Sequence, residues 1–420
     1  MTTQDSSPRT SWIWKAALVC FIIAGGTGSL MRFGMIYGYP AGLQFVNVRH
    51  AHSHLMYFGW VTPALMGLIA AWLPRISGRR PSKRFRWVMG ATILVALLAY
   101  VAFIQYGYQV AEIGERRLPL SVMAATLNML AWYAFGILYY RATKGVPRGR
   151  ALRLWDAALI FMVLASLGAW GVAVVSRLGV EDPFWSVAMT HMFLDLFSEG
   201  WMVLAVLGLA HAFRPAGSLT DAQERRSRWG ENLIVIGLPL VFLLAMPVNL
   251  VPAEVRFIAS LGGILVIAGL LISVWTLWPA VSSSWTSWRV PLALLALKTL
   301  VGLGMILPAA ALWAQRNGLR VLYLHLLLLG FVTLGLAVAA RETWGRAAVP
   351  GQRWLVATVL TLLLTLLPLT GLWPEALTGR WVLQLAAWAS LGPVIAVAGM
   401  LVALIVRERP AGLDATDTAM

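Results

Sequence analysis

Apolar runs, each long enough to cross a bilayer, recur along the whole chain. They fall near residues 12-37, 41-73, 84-107, 119-141, 153-176 and 184-213, then near 231-250, 254-279, 288-314, 318-341, 353-373 and 380-406. A helix rises about 1.5 Å per residue, so about 20 apolar residues cross a hydrocarbon layer about 30 Å thick. The pattern predicts an all-α integral membrane protein with twelve transmembrane helices over 12-406, flanked by tails at 1-11 and 407-420. The first run is too long for a secretory signal and lacks a small-residue cleavage site, so it is expected to stay as the first span. No loop has room for a soluble domain, and no internal repeat stands out.

The polar stretches between the runs orient the bundle. Loop 2-3 carries Arg75, Arg79, Arg80, Lys83, Arg84 and Arg86; loop 4-5 carries Arg141, Lys144, Arg148, Arg150 and Arg153; loop 6-7 carries Arg214, Arg225, Arg226 and Arg228. Loops 5-6 and 7-8 have Arg177 and Arg256 alone. Basic residues accumulate on the cytoplasmic side, so both termini are expected there, in a bacterial-type inner membrane, with even-numbered helices running from outside to inside. Trp12, Trp14, Trp72, Trp87, Trp278 and Trp288 lie near span ends, as an interfacial belt requires.

Composition changes this picture little. The chain is 60% hydrophobic and 12% charged, far from the balance of a soluble protein of 420 residues. A formal charge of +16 suggests a nucleic-acid partner, but the basic residues sit in short loops between spans. The lipid bilayer is the expected partner, and nucleic acid is not. Cys20 is the single cysteine, which excludes a disulfide framework.

The polar residues inside the spans carry the chemistry. Three of the six histidines crowd into "RHAHSHLMYFGW" at 49-60, and helices 2, 6 and 10 each bear a histidine within their first turns. These are His50, His52 and His54, then His191, then His325; all would lie at similar depth in the outer half of the membrane. At about 100° per residue, His50 and His54 share a face and His52 points nearly opposite. One haem or metal therefore does not take all three: either His52 is the ligand and the others face another partner, or the reverse. Neutral imidazole is a common metal ligand, and polar groups in a bilayer are costly and usually functional. The plainer alternative is a set of histidines hydrogen-bonded to neighbouring helices. His211, at the cytoplasmic end of helix 6, is expected to reach for the interface.

In helix 6, "THMFLDLFSEGW" puts His191, Asp195 and Glu199 on one stripe at successive i+4 steps. This suits a metal ligand followed by a proton path, or a polar seam against another helix. Lys298 falls mid-span in helix 9 and needs a partner, with Asp195 or Glu199 available. Arg32, near the outer end of helix 1, is placed to meet a haem propionate or to snorkel. The glycines of "GGTG" at 25-28 and "SLGGILVIAG" at 260-269 suit close helix packing rather than phosphate binding.

At two motifs the chain resembles NnrS-type proteins. "HSHLMYFGW" resembles their HxHxMxFG stretch, with His52, His54, Met56, Phe58 and Gly59 in place. "LHLLLLGFVTLGLAVAARETWGR" at 324-346 resembles their later segment, through His325, Gly330 and Arg341; the family's following GHTGR is reduced to "WGR". The resemblance implies a twelve-helix membrane protein that binds haem, with copper also attributed, linked to nitric oxide metabolism or resistance. That family in turn resembles the haem-copper oxidase and nitric oxide reductase catalytic subunits. On that likeness "HSHLM" points to His52 as a low-spin haem ligand, and "YLHLLLLG" maps His325 as its partner, with Tyr323 replacing the histidine of a high-spin haem. "DLFSEGW" puts Asp195 where a metal-binding histidine would stand, and "ENLIVIGLPLVFLLAMPVNL" in helix 7 has no histidine pair.

The expectation is thus a haem-copper oxidase subunit I-like bundle holding at least one haem b, with His52 and His325 as axial ligands and Met56, Arg32 and Tyr323 nearby. His54, His191 and Asp195 are candidates for copper or a second haem, and Asp195 and Glu199 for proton handling. The expected role is nitric oxide response or electron transfer, with nitric oxide as gaseous ligand and a cytochrome-like electron donor. Alternatives are a divergent nitric oxide reductase and a proton-coupled transporter, the latter requiring broken helices near the midplane.

Overall fold

The computed structural model describes residues 11-79, 81-214, 217-282, 284 and 286-407. The expected tails, apart from their innermost residues, and Arg80 lie outside the described residues. The chain is a multi-pass membrane protein. Its spans are α1 (Ser11–Tyr37), α2 (Phe45–Ser77), α3 (Arg84–Tyr106), α4 (Leu120–Thr143), α5 (Arg150–Arg177) and α6 (Pro183–Phe213). They continue with α7 (Asp221–Ala245), α8 (Ala253–Ala280), α9 (Arg289–Leu303 with Pro308–Arg316), α10 (Leu319–Trp344), α11 (Gln352–Leu369) and α12 (Arg380–Arg407). A two-stranded antiparallel hairpin, β1 (Ala111–Ile113) and β2 (Arg116–Leu118), occupies the 3-4 loop.

Two boundaries differ from expectation for visible reasons. Helix α7 begins at Asp221, not near 231, because Thr220 and Gln223 form a capping box and Arg150 of α5 binds Glu224 at 2.9 Å. The ninth span is not one rod. It turns through 113° between Leu303 and Pro308, where Gly304 and the proline interrupt the helical ladder. The freed carbonyls of Met305 and Ile306 accept hydrogen bonds from Arg256 (3.0 Å) and Ser260 (3.3 Å) of α8. Arg256, expected in a loop, is therefore buried at the break. His211, expected at the interface, is also buried.

Burial divides the bundle into centre and shell. The hydrophobic stretches of α2, α6 and α10 are 89%, 78% and 72% buried, against 28–50% for the other long spans. These central helices share a device that the sequence reading did not find. Each passes from α-helix into a π-helical segment immediately after a polar residue: His54 then Leu55–Val61, Asp195 then Leu196–Val203, His325 then Leu326–Thr333. The sequences there are HLMYFG, DLFSEG and HLLLLG, one pattern written three times. A π segment inserts an extra residue per turn and so re-aims the side chains on either side of it, which is why such segments collect at functional sites.

The repeat also locks the centre. Trp60, one residue after Gly59, donates to Thr333 Oγ1 of α10 (3.1 Å), and Trp201, one after Gly200, donates to Thr62 Oγ1 of α2 (3.3 Å). The residues at the third equivalent positions, Phe331 and Val203, are apolar and fully buried. Gly200 is required by proximity, since a Cβ there would sit 2.4 Å from Phe161 Cβ of α5.

Candidate functional site

Three compartments flank the central helices, and their contents differ. The first lies where α2 and α10 meet α1. His52 donates Nδ1–H to the carbonyl oxygen of Ala24 at 2.7 Å, the role a ring nitrogen must take against a carbonyl. His325 makes the same 2.7 Å contact with Val321 O, one turn back on its own helix. In both rings Nδ1 is thereby committed as a donor, leaving the Nε2 lone pair for a metal; this is the usual support of a ligating histidine. His325 lies within electrostatic reach of both His52 and Arg32. Neither ring is packed out: both stay intermediate in exposure while Ala51, Leu55, Leu326 and Leu327 beside them are buried. Gly28 is the seat of His52, since a Cβ there would come within 2.7 Å of the ring. Of the GGTG glycines, Gly28 packs closely on this histidine and Gly25 on Val394, whereas Gly26 has nothing within 4 Å. The donor set fits a bis-histidine haem.

The second compartment is a cavity of about 530 Å³ between α6, α7, α8, α9 and α10. Glu199 of α6 pairs with Lys298 of α9, both buried, and Tyr323 of α10 donates to the same Oε1 at 3.3 Å. The Lys298 ammonium also lies 4.8 Å from the Tyr323 ring centroid. Of the two acids offered to Lys298 by the sequence, Glu199 is the one taken. Asp195 instead meets His191, Oδ2 to Nδ1 at 3.1 Å. Glu199 Oε2 is buried with no partner among the described residues.

The third compartment, between α2 and α6, is filled. Phe197 packs on Trp132 (centroids 4.8 Å apart) and on Phe58 (5.4 Å). His54 stacks on Phe103 of α3 at 3.9 Å, and His50 meets Tyr108 edge-on at 4.8 Å, so the two share the α3 side while His52 faces α1. His54 Nδ1 is buried without a partner among the described residues. Met56 is buried in the core.

The structure thus brings His52, His325 and Arg32 to one place, and His191, Asp195, Glu199, Lys298 and Tyr323 to another. It does not join His54 to His191 and Asp195. Among the described residues no group of three or more His, Cys, Asp or Glu side chains could hold a metal ion, so the expected copper shell of His54, His191 and Asp195 has no support here.

No family model matches the chain, and no curated protein does. Solved structures do match. One is described as a haem-copper terminal oxidase dimer: its TM-score is 0.71, its identity 13%, and the match covers 95% of this chain and 84% of that one. In fold, the chain is similar to a haem-copper terminal oxidase. The expected architecture is therefore present, and at this identity the likeness speaks for the fold alone.

Proposed function

We propose that this chain is a haem-binding membrane protein of the NnrS type, holding a low-spin haem b between α2 and α10 with His52 and His325 as axial ligands. One observation carries the reading: two histidines on central helices both commit Nδ1 to a backbone carbonyl, and neither ring is fully buried. A bound haem would supply one-electron chemistry. The chain's own part is to orient. Ala24 O fixes the His52 tautomer and ring plane, Gly28 admits the ring, and Val321 O does the same for His325. Arg32, whose charge bears on both rings, is the residue that would neutralise a propionate. The role is nitric oxide response or electron transfer, fed by a cytochrome-like donor, in a bacterial-type inner membrane with cytoplasmic termini.

The test is the optical spectrum and iron content of the purified protein and of His52→Ala, His325→Ala and His54→Ala. Loss of a low-spin haem spectrum in the first two, and its retention in the third, is the expected result. Wild-type protein without haem sinks the reading.

A proton-coupled transporter is the second reading, favoured by the broken α9 and the buried Glu199–Lys298 pair. It predicts proton flux that persists in haem-free His52→Ala protein. A nitric oxide reductase with a haem-copper centre finds no three-residue metal shell among the described residues.

A further inference from the structure

Charge is unevenly balanced at the end of the bundle that carries the basic loops. Helices α5 and α7 each pack along α6, and between their first turns lies a cavity of about 300 Å³. Its lining is Arg148, Gly149, Arg150, Arg153, Glu224 and Arg228: four guanidiniums, one carboxylate and no apolar side chain. Arg150, largely buried, is fully engaged. It holds Glu224 Oε2 at 2.9 Å and Glu231 Oε1 at 2.5 Å, and it also donates to the Glu224 carbonyl. The other Glu224 oxygen takes Arg214 at 2.6 Å, and Arg148 holds Asp156 at 3.0 Å. Glu224 therefore has nothing left for Arg228, one turn further along α7. Arg228 is exposed and has no acid partner among the described residues. Arg153 is 41% exposed and stops 3.9 Å from Glu231 Oε2, with its hydrogen bond going to Asn232 at 3.3 Å. Five arginines thus meet three carboxylates, and the surplus falls on Arg153 and Arg228.

What continues from these two arginines decides the ligand. Ile160 follows Arg153 by seven residues on α5, and Val235 follows Arg228 by seven on α7. Seven residues are close to two full turns, so each arginine heads a stripe of its own helix. Both stripes run into exposed apolar side chains, which in a bilayer face acyl chains. A soluble anion would use the arginines alone; a phospholipid uses the arginines and the stripes together. We propose that the first turns of α5 and α7 form a binding site for an anionic glycerophospholipid. Arg153 and Arg228 hold its phosphate, and its acyl chains run down past Ile160 and Val235. A guanidinium suits the phosphate because its planar fork donates to two oxygens at once. Arg150, fixed by its two glutamates, keeps the floor of the site in place. The unanswered positive charge selects an anionic headgroup over a zwitterionic one, whose ammonium the same arginines repel. In the orientation proposed above, the site lies in the cytoplasmic leaflet, where anionic lipids attract basic clusters.

The experiment uses the full-length protein, stripped of lipid in detergent and titrated with dioleoyl phosphatidylglycerol, with native mass spectrometry reading bound lipid on the intact chain. Dioleoyl phosphatidylcholine has the same acyl chains and a zwitterionic headgroup. The anionic lipid is expected to bind at least about tenfold more tightly, as for charge-assisted hydrogen bonds to phosphate. Arg153→Gln combined with Arg228→Gln is expected to bring it down to the level of the zwitterionic lipid. Both positions are exposed and the paired arginines stay in place, so helical circular dichroism is expected to be unchanged. Arg84→Gln combined with Arg86→Gln removes the same charge from exposed positions on α3, and is expected to leave binding within about twofold. Inorganic phosphate in large excess is expected not to displace the lipid. Equal affinity for the two lipids, unchanged binding in the Arg153, Arg228 variant or an equal loss in the Arg84, Arg86 variant overturns the proposal. Displacement by inorganic phosphate also overturns it, and would make the cavity a site for a soluble anion.

Discussion

Helix α10 serves two compartments that solve the cost of buried polarity in opposite ways. Toward α2 and α1, His325 and His52 spend one ring nitrogen each on a carbonyl and keep the other free. Toward α6 and α9, Lys298 and Tyr323 both donate to Glu199 Oε1, and Glu199 Oε2 has no partner among the described residues. The polar residues stand at different places of the repeat, His325 five before its glycine, His52 seven before and Glu199 one before, and their neighbours differ too. Helix α1 offers a bare carbonyl and a glycine, so an uncharged imidazole fits; α9 offers an ammonium, so a carboxylate must answer it. Shell helix and motif position together set the chemistry of each compartment.

The largest expected effect comes from breaking the charged compartment. Lys298→Met leaves the Glu199 carboxylate buried and unanswered, a loss of about 3–5 kcal/mol for a buried pair stripped of one partner. Glu199→Gln together with Lys298→Met removes both charges and is expected to recover most of that loss. Unfolding midpoints in detergent measure it. A double variant as unstable as the single one would mean that the pair is not internally compensated, and the contrast drawn above would go with it.

In the imidazole compartment the corresponding change acts on cofactor rather than fold. Gly28→Val drives a side chain into the His52 ring, whereas Gly26→Val, with nothing within 4 Å, meets open space. The first is expected to weaken haem retention by about 10–100-fold, the scale seen when a ligand's support is disturbed, with helical circular dichroism unchanged; the second is expected to bind like wild type. Haem titration of the two proteins checks this, and equal retention removes Gly28 from its role.

Much of this was legible in the sequence because hydropathy and helical periodicity are local. They yielded the spans, the opposed faces of His52 and His54, and the stripe of His191, Asp195 and Glu199. Pairings between helices were less legible. Lys298 had two acids in reach, and only the packing of α6 on α9 chooses Glu199 over Asp195. The break in α9 was written in Gly302, Gly304 and Pro308, but an apolar average over 288-314 hides it. The π segments escaped because a period of 3.6 was assumed throughout. The signal for them was the recurrence of HL or DL followed by three residues and a glycine, visible only when helices 2, 6 and 10 are written beneath one another.

The smallest effect tests whether the centre is a repeat in energy as well as in pattern. Trp60→Phe and Trp201→Phe each delete one buried indole donor, and each is expected to cost about 0.5–1.5 kcal/mol, the net worth of a hydrogen bond. The threonine left behind turns its hydroxyl to a backbone carbonyl of its own helix, as Thr343 does with Ala339 O, so no orphan remains. At the equivalent positions Phe331 and Val203 are apolar, and both are fully buried. The two substitutions lie at different helix pairs, so their effects are expected to add within about 0.5 kcal/mol. Unfolding of both single variants and the double one measures this. A double loss well beyond the sum would show that the two pairings act as one cooperative unit.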